Sequence, residues 1–423
     1  MLGDRSKGER VRGGPSRRGP VRQAFPGGGA LCYNAAILPA PATQEQPMRK
    51  TPLAPILLPV LLLLALLALT GCGRGNPSQA AAAPTADPEP AQTARPTFTP
   101  PPAATPTPEP TATPEPTATP DPYVNPLTGL RVSDPALVSR RPLAIRVGND
   151  PNIRPQDGLG SADVVIEEIM EGWSLTRFTG IFLGEEAARV RPLRSARLSS
   201  LSVAPQYDAA LVHTGASDPI RWLISQASFV DLDQFFHPAP YRLLAGYDWR
   251  GRMYASTEDV HEYLAAKDLD RDTPIAGYLF DEAVPAGGRP VTKISIPYPY
   301  EARTRWTYDA DANKFLRVVA GMPHTDGLTG KQLSAANVIV LYTEHKRTDI
   351  VEDTLGSTAI DIVLTGSGRA EIARDGQVFD LTWERGEDGA LIRYYDAEGN
   401  EFPLLPGQSW IEIVPLDYEV SYE

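Results

Sequence analysis

Arg191-Pro-Leu-Arg194-Ser195-Ala-Arg197 is the densest polar constellation of the chain. Guanidinium forks grip carboxylate, phosphate or sulfate with two parallel hydrogen bonds. A serine and free N–H groups at a helix start add further donors for an anion. The segment follows a predicted strand and is expected to open a helix at about 197. Arg194, Ser195 and Arg197, with Arg177 from the preceding strand, are therefore the candidate ligand-binding residues. The competing expectation is structural. The same arginines can pair with Glu167, Glu168 or Glu171 and staple the fold.

Other residues could do acid–base work. His213 ends a predicted strand and Asp218 opens a predicted helix, with Thr-Gly-Ala-Ser217 between them. In an α/β arrangement ligands collect at that edge. His213 with Glu168 or Asp218 is the candidate catalytic set. A hydrogen-bonded histidine at a strand end and a helix-capping Asp218 are the plainer expectations. Strand alternation puts Glu167 and Glu171 on one face and Glu168 on the other, so a glycosidase-type pair is conceivable. His324-Thr-Asp326 lies in a Gly-rich loop, without enough further ligands nearby to complete a metal site. Gly366-Ser-Gly368 lacks the lysine of a phosphate loop, and no cofactor motif is expected.

The elements that must hold these residues follow from periodicity and turn signals. Strands are predicted at 143–147, 163–171, 174–183 and 209–213, with a tight turn at Gly172-Trp173. Helices are predicted at about 197–206, 218–227 and 257–267, the last capped by Ser256 or Thr257. From residue 290 the pattern is almost entirely β, with turns at Asp375-Gly376, Asp388-Gly389 and Glu398-Gly399-Asn400. The fold class expected is α+β. A mixed α/β domain over 123–289 precedes a mostly β domain over 290–423, built as a sandwich or roll.

What precedes residue 123 speaks of location. Met48-Arg49-Lys50 leads into an apolar run that closes at Leu69-Thr70-Gly71-Cys72. A basic head, an apolar core and a small residue before a cysteine make an export signal over 48–71. Pro55 and Pro59 and a slightly short span argue against a membrane helix. Its last four residues resemble a bacterial lipobox, which implies cleavage before Cys72 and diacylation of that thiol. Residues 1–47 fit no export signal, and the expected start is Met48. Residues 72–122 hold 15 of the 43 prolines and repeat PEPTAT, a tether that buries no core. Fully extended it reaches roughly 150 Å.

Composition narrows the partners. From Cys72 on, 31 Lys and Arg face 49 Asp and Glu. That balance disfavours nucleic acid and anionic lipid as partners of the folded part. The folded part has no cysteine, hence no disulfide and no thiolate metal site.

Several stretches together resemble the YerB-type family of bacterial lipoproteins, a two-part domain of unknown function. In the first half they are Asn125-Pro-Leu-Thr-Gly129-Leu, Arg154-Pro-Gln-Asp-Gly-Leu, Ala162-Asp-Val-Val-Ile-Glu167, Thr176-Arg177-Phe178 and Arg194-Ser-Ala-Arg197. In the second they are Pro323-His324-Thr-Asp326 and Pro406-Gly-Gln-Ser-Trp-Ile-Glu-Ile-Val-Pro415. The chain departs from the family's pattern at Thr214-Gly215-Ala216-Ser217 and Arg252-Met253-Tyr254. The resemblance implies a lipoprotein with two domains and supplies no reaction. The expectation is a module anchored by lipid to the outer face of the cell membrane. It would bind an envelope glycan or a small anionic ligand. An envelope hydrolase or transferase built on His213, and an interaction scaffold using β edges, are the alternatives.

Overall fold

The computed structural model describes residues 121–270, 275–386 and 389–423. The expected leader, signal, lipidation site and nearly all of the tether fall outside them. No helix among the described residues is long and apolar enough to cross a membrane.

Alternating and continuous apolar runs become strands where they were expected, and two unpredicted strands join them at Asp231–Asp233 and His345–Val351. In the first half these are β1 (Leu143–Gly148), β2 (Val164–Ile169), β3 (Thr176–Phe182), β4 (Ala210–His213) and β5 (Asp231–Asp233). In the second half come β6 (Lys293–Ile296), β7 (Thr304–Asp309), β8 (Lys314–Val319) and β9 (Asn337–Thr343). They are followed by β10 (His345–Val351), β11 (Thr358–Ile362), β12 (Gly366–Arg374), β13 (Gln377–Arg385), β14 (Arg393–Tyr395) and β15 (Ser409–Pro415).

One sheet crosses both halves in the order β14-β13-β12-β9-β15-β2-β3-β1-β4-β5. Strand β15 runs between β9 and β2, parallel to each. Its residues are all buried, as are those of β2. Continuous apolar runs suit strands covered on both sides. A second, antiparallel sheet of β6, β7, β8 and short flanking strands packs on one face. Trp306 of β7 meets Trp410 of β15 edge-on at 5.2 Å across that interface. Strands β10 and β11 form a separate two-stranded arm.

The protein is mostly β with few helices, so the mixed α/β expectation for the first half holds only in part. The predicted helix at 197–206 shrinks to α2 (Ser200–Val203), after α1 (Ala136–Ser139), and continues as a 3-10 turn over Ala204–Tyr207. Pro205 has no N–H to extend the α-helical ladder there. Helix α3 (Asp218–Ser225) has Ser217 at its N-cap, so Asp218 lies in the first turn rather than at the cap. Helix α4 (Thr257–Ala266) is capped as expected: Ser256 accepts from the Asp259 amide.

Candidate ligand-binding site

Strand pairing decides where the polar side chains go. β4 pairs with β1 only over Leu143–Ile145. Beyond that point the Arg191–Arg194 segment takes over: the Gly148 amide donates to Pro192 O (3.0 Å) and the Arg194 amide to Arg146 O (2.9 Å). On its other side the Thr214 amide donates to Arg194 O (3.1 Å), and the Ala196 amide to Gly215 O (2.8 Å). The arginine segment is thus wedged between the C-terminal ends of two parallel strands, where α/β sheets place ligands. It does not open a helix directly, because α2 begins only at Ser200. Gly148 is required: a Cβ there would sit 2.7 Å from Arg194 Cγ.

Four arginines and four acids gather on this face. Arg146 pairs with Glu168 (2.6 Å), Arg194 with Asp150 (2.7 Å) and Arg197 with Glu171. Ser199 donates its hydroxyl to Glu168 Oε1 (2.7 Å). Glu352, from the end of the β10–β11 arm, lies 3.8 Å from Arg197 Nε. Glu171 joins Glu168 here, not Glu167 as strand alternation predicts. β2 ends at Ile169, and Glu171 already begins the 3-10 turn Glu171–Trp173, so strand alternation does not extend to it. The structural-staple expectation therefore holds for Arg197, whereas Arg194 is paired with Asp150, an acid that expectation did not include.

Arg177 differs. Its guanidinium donates to Ser195 O (2.8 Å), and no carboxylate lies in ion-pair range of it among the described residues. The residue as a whole is partly covered, and its guanidinium lies on the buried side. Burial and the neighbouring Arg197 push its pKa well below the usual arginine value, with Glu171 opposing. A cation held among cations without its own counter-charge favours an arriving anion.

The structure does not assemble the catalytic set. His213 is fully buried, and both ring nitrogens are engaged, Nε2 with Asp231 (2.7 Å) and Nδ1 with Gly215 (2.8 Å). Glu168 belongs to Arg146, and the Asp218 side chain is fully exposed at 3.9 Å from Arg221. His324 and Asp326 also part company. Asp326 accepts from the Gly160 (3.0 Å) and Leu328 (2.8 Å) amides, while His324 turns to Gln156 Oε1 (2.7 Å). Among the described residues no group of three metal-ligating side chains converges.

The opposite face of the central sheet holds a second network, fully buried. Register sets Glu167 of β2 directly beside Glu412 of β15. Arg317 from β8 reaches between them, 2.5 Å from Glu167 Oε2 and 3.5 Å from Glu412 Oε1. Its guanidinium carbon lies 4.7 Å from the Trp410 ring centre, and its Nε donates to His324 Nδ1 (3.0 Å). Trp306 Nε1 donates to Glu412 (2.8 Å). Burial and the adjacent Glu167 push the Glu412 carboxyl well above the usual range.

Comparisons with known proteins follow these features. Residues 127–270 match the N-terminal domain, and residues 294–411 the C-terminal domain, of the family described as protein of unknown function DUF3048. The chain is 29% identical over 307 residues to the candidate lipoprotein YerB of Bacillus subtilis (strain 168), covering 69% of this chain and 86% of that one. The chain belongs to the DUF3048 family. The crystal structure of the Bacillus subtilis YerB protein is similar, at TM-score 0.62 and 27% identity over 70% of this chain and 99% of that chain.

In this DUF3048 protein, sequence reasoning missed Arg317, Glu412 and Glu352. The closing Trp410-Ile-Glu412-Ile run carried a usable signal, since a carboxylate inside a continuous apolar strand must be neutralised. His324 now has a definite role: Nδ1 accepts from Arg317, so its proton sits on Nε2 and points at Gln156. Burial and the cations Arg317 and Arg154 push its pKa well below the ordinary value. A depressed histidine stabilises the fold above its unfolded pKa of about 6.5, and that stability is lost as pH falls. Denaturant midpoints between pH 7 and 5 should therefore drop less for His324→Gln than for the parent chain, by up to about 1.4 kcal/mol per pH unit. Equal slopes would refute the neutral-histidine assignment.

Proposed function

We propose that this DUF3048 protein is an extracytoplasmic binding module, anchored in the cell membrane through Cys72 and held off it by the Pro-rich tether. Its ligand is the acidic group of an envelope glycan or small molecule, received by Arg177 with Arg194, Arg197 and the Ser195 backbone. The observation that carries this reading is Arg177, a guanidinium among three others with no carboxylate in ion-pair range among the described residues. The lipobox-like Leu69–Cys72 and the name of the Bacillus relative support the anchor. The acidic surface fits a partner that is not nucleic acid.

The full chain should retain acidic envelope glycans, and retention should fall with added salt. Arg177→Ala should weaken binding about tenfold or more, the scale of one lost charge-assisted hydrogen bond of about 1.5–3 kcal/mol. Its melting temperature should hold or rise, because like-charge crowding is relieved. Retention unchanged by Arg177→Ala, measured on the same glycan panel, would remove this site from consideration.

A further inference from the structure

We infer that Glu352, at the tip of the β10–β11 arm, occupies the seat of the ligand's carboxylate, and that the arm is a strap which a carboxylate-bearing ligand displaces. This inference rests on the reading of the arginine cluster as the ligand site.

Glu352 is the one acid of the cluster supplied from outside the central sheet and its connecting loops. Its side chain has no solvent exposure, yet neither carboxylate oxygen completes a hydrogen bond. The Arg197 contact at 3.8 Å is an ion pair without a hydrogen bond. Beside it, Glu168 Oε2 is also buried without a partner. Glu352, Glu168, Glu171, Arg197 and Ser199 line a cavity of about 10 Å³, roughly one water. Burial pushes the Glu352 carboxyl above its ordinary value, with Arg197 and Ser217 opposing. A buried acid held by a long ion pair and no well-formed hydrogen bond to either oxygen is loosely held, and its departure loses little.

The arm is built to let it go. Its base is fixed: Ile360 and Ile362 are buried, and Arg347 lies over the Trp173 ring at 5.4 Å. The β10–β11 register slips between Arg347 and Val351, where a bulge bends the arm. Past that point Val351 is 50% exposed and Leu355 89%, and Glu352 turns inward between them. Lifting the tip uncovers Arg197, and the adjoining Arg177 then has a complete pocket. The protein's own plug is a carboxylate, so the ligand class proposed for the vacated seat is a carboxylate rather than a tetrahedral phosphate.

The test is calorimetric titration of the full chain, Glu352→Gln and Arg177→Ala with D-glucuronate and with inorganic phosphate. Amide exchange of residues 352–357 is followed in parallel. Glu352→Gln should bind glucuronate about tenfold tighter than the parent, as expected when a site closed in most molecules is opened. Saturating glucuronate should accelerate exchange at the tip of the parent chain. Equal affinity of parent and Glu352→Gln, with Arg177→Ala still weakened, overturns the strap and leaves the arginine site standing. Binding of phosphate in preference to glucuronate overturns the carboxylate class. Absence of binding by parent and Glu352→Gln alike defeats both this inference and the function it rests on.

Discussion

Arg317→Leu is expected to destabilise the folded part by about 3–5 kcal/mol, the usual loss when one partner of a buried ion pair is removed. On a folded unit of about 300 residues that corresponds to a fall of roughly 5–8 °C in melting temperature. The reason is the register of β2 against β15. It sets Glu167 and Glu412 side by side with no solvent exposure, and Arg317 is the cation between them. Leucine would leave two acids facing each other and would strip His324 of its donor. Glu412→Gln should behave differently. Its carboxyl is pushed up toward the neutral form, and glutamine keeps an acceptor for Trp306 Nε1. The expected loss is below about 1 kcal/mol. The sign with pH follows. A raised folded pKa stabilises fully below the unfolded value of about 4.3 and is lost as pH rises. The glutamine variant lacks that loss, so its stability relative to the parent should improve from pH 4 to 7. Thermal melts of both variants across this range decide the matter. Equal damage from the two substitutions would mean that Glu412 is a full ionic partner.

Cys72→Ser should abolish fatty-acid incorporation and leave no mature chain that begins with a lipidated residue 72. One myristoyl chain binds a bilayer with an association constant of only about 10⁴ M⁻¹, whereas two chains hold a protein stably. The parent should therefore partition into the detergent phase with its amino terminus at Cys72, as intact mass would show. A parent chain that still carries residues 48–71 would instead mean an uncleaved apolar anchor and would overturn the lipobox reading.

The two networks show why only part of the site was legible in advance. Most strands of both halves, and helices α3 and α4, fall where apolar alternation, caps and Gly turns place them, because those signals act over a few residues. The Arg194–Arg197 segment was likewise visible as a chemical cluster, and the pairing of Glu171 with Arg197 was one of two stated outcomes. Its role depends on contacts that local pattern does not carry. Arg177 is distinguished by the lack of an acid that three neighbouring arginines possess. Glu352 comes from more than 150 positions farther along the chain, on an arm whose first strand, β10, reads locally as a polar loop.

The amino-acid sequence by itself determined membership in its family, most elements of the folded part and, through Leu69–Cys72, the expectation of an anchored protein. Those properties reside in local order: residue type, period and short motif. Tertiary structure decided which acids meet which arginines. It inserted β15 beside β2, brought Arg317 between two carboxylates and, among the described residues, left Arg177 without one. Such pairings are set by strand register and by elements far apart in sequence, and a shift of one residue in register would exchange the two faces and every partner on them.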